Sequence, residues 1–276
     1  MALSFVNCTS SIILPVFLAL FIFMKCYECF NPKNINESMY DQGYDFDWSV
    51  GAATWYGASN GAGSDGGACG FRDAVGKPPY SGMISAGGPS IYDMGQGCGV
   101  CYQVKCTENE ACSGDAVRIT ITDECPGCTK EAAHFDLSGS AFGALAKPGL
   151  ADQLRNAGVL YHLQYKMVKC DYPGVTVVLR VDPGSNPYYF ATSIEYADGT
   201  GIEKVELQPQ SSDGWLSMYE SFGATWAINS GDVLQPPFSI RLTEKVSLNT
   251  LILTNVIPLG WQPGQTYRSH VNFNGN

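Results

Sequence analysis

Cysteine placement limits what this chain can fold into more than any other feature. Three of its 11 cysteines (Cys8, Cys26 and Cys29) fall at the start, the other eight lie between Cys69 and Cys170, and the rest of the chain has none. An even set confined to about 100 residues reads as a disulfide framework if the chain reaches an oxidising compartment. Residues 12–24, IILPVFLALFIFM, give reason to expect export: the apolar run is too short for a comfortable membrane span and suits the hydrophobic region of a secretory signal. A signal peptide is therefore expected over 1–29. No Lys or Arg precedes the run and Lys25 follows it directly, so an uncleaved segment with loose membrane association is the other reading. Zinc is the rival for the cysteines, because Cys98-x2-Cys101 and Cys125-x2-Cys128 look like ligand knuckles. Their separation is long for one site and four cysteines would stay unexplained, so no metal or other cofactor is expected.

The remaining chain divides by composition. With 45% hydrophobic residues it can bury one large core or two small ones, and 31 Gly, 15 Pro and only 15% charged residues suit many short strands joined by turns. A formal charge of -10 leaves no basic field for phosphate backbones, which excludes nucleic acid as a partner. Residues 30–50 are polar, acidic and aperiodic, a flexible lead-in in which Asn36 heads a glycosylation acceptor, Asn36-Glu37-Ser38. Residues 51–182 fit a compact, disulfide-pinned β-barrel with few helices. The turn-rich 183–187, PGSNP, reads as a linker. Beyond it, strand patterns at 190–196, 202–208, 217–220, 225–228, 238–243 and 250–256 recur at sandwich-like intervals, so 188–276 reads as a second, all-β domain. Tyr188, Tyr189, Trp215, Trp226 and Trp261 are many large rings for so small a module, and a row of exposed rings is how a flat sheet grips a polysaccharide.

The chemistry of the first half centres on residues 118–146. Val117, Ile119 and Ile121 alternate with Arg118, Thr120 and Thr122, which predicts a half-buried strand delivering Asp123 to its end. A loop bounded by Cys125 and Cys128 follows, then His134, Phe135 and Asp136, and Ser138 is placed to cap a short small-residue helix reaching 146. Two carboxylates on neighbouring elements are what glycoside chemistry requires, although Asp also serves plain turns and caps. Upstream, 53–71 begins as a strand and dissolves into glycines. Gly61, Gly63 and Gly66 satisfy G-x-G-x-x-G, but no helix follows and Cys69 interrupts, so a dinucleotide site is excluded. These glycines instead let the backbone approach a ligand closely or turn tightly beside Asp65. Trp55 and Tyr56 are consecutive, which sends one to the core and leaves the other for a groove. Cys106 to Cys112 reads as a short hairpin, and 160–169 as another strand in which His162 is an ordinary sheet residue.

Taken in order, TWYG at 54–57, GGACGF at 66–71, GCGVCYQVKC at 97–106, ITDECPGC at 121–128, HFDLSGSAFGALA at 134–146, PGSNPYY at 183–189 and GATW at 223–226 resemble the plant expansins, most closely the β-expansins. The resemblance covers about residues 52–273. It implies a mainly β fold: an N-terminal double-psi β-barrel similar to family 45 endoglucanases, and a C-terminal immunoglobulin-like β-sandwich that binds cellulose. It also implies a secreted wall protein that loosens and extends walls; nothing in the sequence suggests an obligate dimer, so a monomer is expected. Such a protein disrupts non-covalent contacts between cellulose and matrix glycans, xylan or xyloglucan, without hydrolysis. Carried over by motif, Asp136 takes the general-acid position of the related endoglucanases and Asp123 that of a second retained aspartate. Thr54, Trp55, Tyr56, Asp65 and His134 would line the groove, and Tyr189 and Trp226 would stack on sugars, with Trp215 a candidate third ring. The resemblance further implies disulfides Cys69–Cys98, Cys101–Cys170 and Cys106–Cys112. Cys125 and Cys128 are then left for each other across a two-residue spacer, a pairing expected to be strained. The related hydrolases place their base beside the TWYG strand, and this chain has no carboxylate between Trp48 and Asp65. Losing one member of an acid and base pair costs orders of magnitude in hydrolysis. The alternative is a glycoside hydrolase with Asp136 as acid and Asp123 as base.

Overall fold

Alternating apolar side chains close the first body. In the computed structural model, which describes residues 46–275, six strands form a closed barrel. They are β1 (Ser49–Tyr56), β2 (Ile84–Gly87), β3 (Cys101–Lys105), β4 (Val117–Glu124), β5 (His134–Ser138) and β6 (Leu160–Val168), in the order β1-β5-β2-β4-β3-β6. The pairs β1/β5 and β2/β4 are parallel; the other pairs are antiparallel. Ala53, Val104, Ile119, Ile121, Phe135, Leu137 and Leu163 point inward and form the barrel core. The expected signal peptide, most of the lead-in, Asn36 and the first three cysteines lie outside the described residues. Among the described residues, no helix is long and apolar enough to cross a membrane.

Three short helices, α1 (Pro89–Tyr92), α2 (Gly139–Ala144) and α3 (Ala151–Asn156), pack on the barrel. Ser138 does cap α2: its Oγ accepts from the Ala141 N–H at 3.0 Å. Arg155 of α3 donates to the Gly139 carbonyl from Nε (3.3 Å) and Nη2 (3.0 Å), which ties the two helices together.

Four disulfides pin the loops: Cys69–Cys98, Cys101–Cys170, Cys106–Cys112 and Cys125–Cys128. All eight of these sulfurs are therefore bonded, and none of them remains as a thiolate ligand. Across the two-residue spacer, a turn in which Cys128 N–H donates to the Cys125 carbonyl (3.1 Å) brings the Cα atoms to 5.4 Å. That is an ordinary disulfide separation, so the spacer does not hold the pair apart.

The second body is a sandwich of two sheets. Its strands are β7 (Val178–Val181), β8 (Tyr189–Glu195), β9 (Ile202–Pro209), β10 (Leu216–Ser217), β11 (Tyr219–Phe222), β12 (Thr225–Asn229), β13 (Phe238–Glu244), β14 (Thr250–Ile257) and β15 (Thr266–Arg268). One sheet is ordered β10-β9-β13-β14 and the other β11-β12-β8-β7-β15. Phe190, Phe238, Ile240 and Leu242 fill the space between them.

The position of the junction differs from the expectation. β7 pairs with β8 and β15, so the sandwich begins before residue 183, and 183–187 is a turn inside one sheet. Val177, Leu179 and Val181 are fully buried in the sandwich core, which commits that stretch to the second body. A third cluster joins the two bodies: Tyr196 packs on Tyr80 (4.8 Å between centroids) and on Tyr172 (6.0 Å). Backbone bonds reinforce it, from Ala224 N–H to the Cys69 carbonyl (3.1 Å) and from Cys170 N–H to the Gly199 carbonyl (2.6 Å). Barrel and sandwich consequently form one compact unit rather than two beads on a string.

Candidate functional site

The pleat decides which barrel residues face solvent. Ala53, Phe135 and Leu137 point inward, so Thr54 and Tyr56 of β1 and His134 and Asp136 of β5 share the outer face. Thr54 is the register partner of Asp136, and its hydroxyl donates to Asp136 Oδ1 at 2.6 Å. Thr54 Oγ1 also lies 3.0 Å from His134 Nε2, and His134 Nδ1 lies 3.0 Å from Glu131 Oε2. Thr54 gives its one proton to Asp136, and the His134 ring lies between the Thr54 hydroxyl and the Glu131 carboxylate. A hydrogen-bonded chain thus runs Glu131, His134, Thr54, Asp136. Burial raises the Asp136 pKa, opposed by the Thr54 hydrogen bond and the His134 charge and reinforced by Asp123.

Asp123 reaches the same face from β4. Strand β2 lies between β4 and β5, and Ala86 is the register partner of both Asp123 and Asp136. The two aspartates are therefore two strand spacings apart, roughly 10 Å between Cα atoms. Asp123 Oδ1 accepts from Ala68 N–H (2.7 Å) and Glu124 N–H (2.8 Å), so this aspartate anchors the glycine loop. Neither aspartate's Oδ2 has a hydrogen-bond partner among the described residues. The Tyr56 hydroxyl lies beside both acids: its pKa is pushed up by burial, then by the charges of Asp123 and Asp136. Gly63 makes room for this ring, since a Cβ there would sit 2.4 Å from it.

Beyond Asp123 the glycine loop leads onto the sandwich. Asp65 lines a cleft of about 200 Å³ together with Gly67, Gly70, Arg180, Phe222 and Thr225. A Cβ on Gly67 would lie 3.2 Å from the Asp123 carboxyl carbon, and one on Gly70 (φ +78°) would lie 3.0 Å from the Phe222 ring. The glycine loop is therefore the surface that connects the carboxylates to the sandwich.

Several rings do not stand where the sequence reading put them. Trp226 is 9% exposed and belongs to the sandwich core, because it shares a face with Ile228 two residues on. It is a packing residue and not a stacking one. Tyr189 does lie on the outer face, half-buried at the edge opposite Asn229. The rings that face out are Tyr219 and Phe222 of β11, each 52% exposed, with Tyr188 exposed at the start of β8. The period-two pattern of TWAIN pairs Trp226 with Ile228, and that signal could have moved the assignment to Phe222. Trp55 shares its face with Ala53, donates its indole N–H to the Arg155 carbonyl (3.2 Å) and packs 6.5 Å from Phe142. It braces the helices and does not line the trench. Trp215 lies under the Arg241 guanidinium, 4.5 Å from ring centre to Cζ, on the other sheet.

Known proteins are similar to this chain in sequence and in fold. Residues 84–161 match the family described as lytic transglycolase, and residues 177–258 match the expansin C-terminal domain. The chain is 52% identical over 254 residues to a putative expansin-B2 of Arabidopsis thaliana, covering 91% of this chain and 92% of that protein. It is 54% identical over 231 residues to expansin-B11 of Oryza sativa subsp. japonica, covering 82% of this chain and 78% of that one. Among solved structures, a point mutant of Clavibacter michiganensis expansin in complex with cellohexaose superposes with a TM-score of 0.63 at 26% identity, covering 82% of this chain and 98% of that one.

Proposed function

The chain belongs to the expansin family as a β-expansin, a non-hydrolytic wall-loosening protein, and from that premise we propose that it grips a glucan chain along one surface running from the barrel trench to the ring-bearing sandwich face. One observation carries this reading: within residues 67–70 the Ala68 N–H donates to Asp123 Oδ1 (2.7 Å), and Gly70 lies so near the Phe222 ring that a Cβ there would be 3.0 Å from it. Sugar hydroxyls are bound at Asp136 and Asp123, whose Oδ2 atoms are open acceptors. Tyr219, Phe222 and Tyr189 offer flat apolar area to the C–H faces of the sugar rings at little entropic cost. Protein contacts then replace glucan-to-glucan contacts, and the wall's own tension separates the chains without any bond being cleaved. Binding of cellohexaose by the bacterial relative supports a β-glucan as ligand. A matrix glycan such as xylan or xyloglucan is the second polymer whose contacts are exchanged. The protein acts as a secreted monomer in the cell wall.

The rival reading is hydrolysis with Asp136 as acid and Asp123 as base. The raised pKa of Asp136 suits an acid. Asp123 is held as an anchor of the glycine loop: two backbone N–H donors meet its Oδ1, and it shares the outer face with Asp136. The third acid nearby, Glu131, bonds His134. Creep of heat-inactivated walls, measured beside a reducing-end assay, tests both readings. Extension without new reducing ends is expected, whereas ends accumulating in proportion to protein would establish the rival. Asp136→Asn is expected to lower creep several-fold; unchanged creep removes the trench from the mechanism.

A further inference from the structure

One cysteine pair takes no part in gripping glucan. Cys125-Pro-Gly-Cys128 lies directly beyond Asp123 and Glu124 at the end of β4, and its two-residue spacing is that of thiol–disulfide exchange motifs. Of the four bridges it is the one in which neither cysteine is buried, and Pro126 and Gly127 between them are exposed. Every other bridge includes a buried cysteine: Cys69, Cys101 and Cys170 are 0% exposed, and Cys106 and Cys112 are 3% and 5% exposed. It also closes the smallest ring, with a sequence separation of 3 against 6, 29 and 69, so opening it frees the least chain entropy. Access favours attack on this bridge first, and the small ring lets the fold survive it.

The bridge stands at the root of residues 125–133, the connection that carries Glu131 to His134. Cys125 N–H donates to the Gly87 carbonyl (2.8 Å) and Gly88 N–H to the His134 carbonyl (2.8 Å), so both ends of the loop are fastened beside the end of β2. Between them the loop is held by the turn bond from Cys128 N–H to the Cys125 carbonyl (3.1 Å), by Ser90 Oγ donating to the Ala132 carbonyl (2.5 Å) and by Ala52 N–H donating to the Ala133 carbonyl (2.9 Å). The Cys128 carbonyl packs so closely on Gly88 that a Cβ there would be 2.8 Å from it. Thr129, Lys130 and Ala132 are exposed, whereas Glu131 is half-buried with its carboxylate on the His134 ring. The crosslink thus keeps the first half of the loop against β2, and Glu131 follows directly from it.

We propose that Cys125–Cys128 is a thiol–disulfide exchange site whose state sets how firmly Glu131 holds His134 beside Thr54 and Asp136. A thiolate of an external dithiol attacks one sulfur, the S–S bond breaks, and the other cysteine leaves as a thiolate that takes up a proton. The second thiol of the reagent then attacks the mixed disulfide, so the reagent departs as its own disulfide and two electrons and two protons have passed to the protein. A small disulfide reverses the step. Once the bridge is open, the loop samples more conformations and the chain from Glu131 to Asp136 is less preorganised for a ligand. The effect on wall loosening rests on the trench's part in it; the exchange chemistry does not.

Brief treatment of the full secreted protein with dilute dithiothreitol, followed by alkylation and mass mapping, tests this. Cys125 and Cys128 are expected to be labelled before any cysteine of the other three bridges, with Tm nearly unchanged. The chain has three histidines, and in NMR spectra of the opened protein the His134 ring resonances should shift while those of His162 and His270 stay. Creep should fall about threefold, the loss expected when one held side chain is released. Cys125→Ser with Cys128→Ser should reproduce both the His134 shift and the fall in creep, and should no longer respond to the dithiol. Earlier labelling of another bridge, or a His134 ring that does not move, would overturn the proposal whatever the wall does. A shifted ring with unchanged creep supports the exchange site and counts against the trench reading instead.

Discussion

Barrel and sandwich are both β bodies with apolar cores, yet all four disulfides lie on the barrel side and the sandwich has none. Strand length does not separate them, from four to nine residues in the barrel and from two to eight in the sandwich, but the barrel strands are joined by long connections such as 57–83 and 139–159, and the glycine loop beside Asp123 lies in one of them. The sandwich strands follow one another through shorter connections, and the exposed rings Tyr219 and Phe222 stand on β11. A side chain on a strand is positioned by the ladder itself, whereas a loop needs other restraints. The bridges fall accordingly. Cys69–Cys98 ties down the glycine loop between Asp123 and Phe222, and Cys125–Cys128 closes the turn just after Asp123. The shared tyrosine cluster then makes the two differently built halves hold one surface in register.

The contrast breaks hardest under reductant. Reducing all four bridges should unfold the barrel, since the Cys101–Cys170 crosslink alone closes a loop worth about 4 kcal/mol. Tryptophan fluorescence with limited proteolysis should show barrel cleavage first, and coincident loss of both bodies would mean the tyrosine cluster dominates. Next in size, Trp226→Ala should destabilise the sandwich by about 3–5 kcal/mol, as expected for a buried ring, read as a fall in Tm. Phe222→Ala sharpens the point by the opposite signature: roughly tenfold weaker cellulose binding with Tm nearly unchanged, because its ring is half exposed. If Trp226→Ala weakened binding without lowering Tm, the assignment of the rings would be reversed.

The smallest effects are in pH dependence, and they have opposite signs in the two halves. On the sandwich, the Arg241 hydrogen bond, with Lys204, overcomes burial and lowers the Glu206 pKa to about 2. Its contribution is present above the unfolded value of about 4.3 and is lost as pH falls towards 2. Arg241→Gln should flatten that acid limb of a Tm profile. Asp136 is raised instead, so its contribution is present at acid pH and is lost as pH rises through its elevated pKa; Asp136→Asn should flatten that limb.

Much of the fold was legible because alternation is local. The runs at 202–208, 225–228, 238–243 and 250–256 appear as β9, β12, β13 and β14 within a residue. β2 was not legible: ISAG is short, small and fully buried, and carries no period. β7 was hidden behind a proline-rich turn that looks like a linker until its partners are known. At the site, hydrogen bonds join Thr54 to His134 and Asp136, residues the motifs had named, while Glu131 joins only through the curl of the loop that returns to His134.

By itself the sequence determined the strand alternation, the cysteine-rich half and the motifs that mark the family, because each depends on neighbours within a few residues. Only the tertiary structure decided which rings face out and where the two bodies meet. It also brought the glycine loop against Phe222. Those outcomes depend on register between strands distant in sequence, and a shift of one residue would turn every side chain to the opposite face.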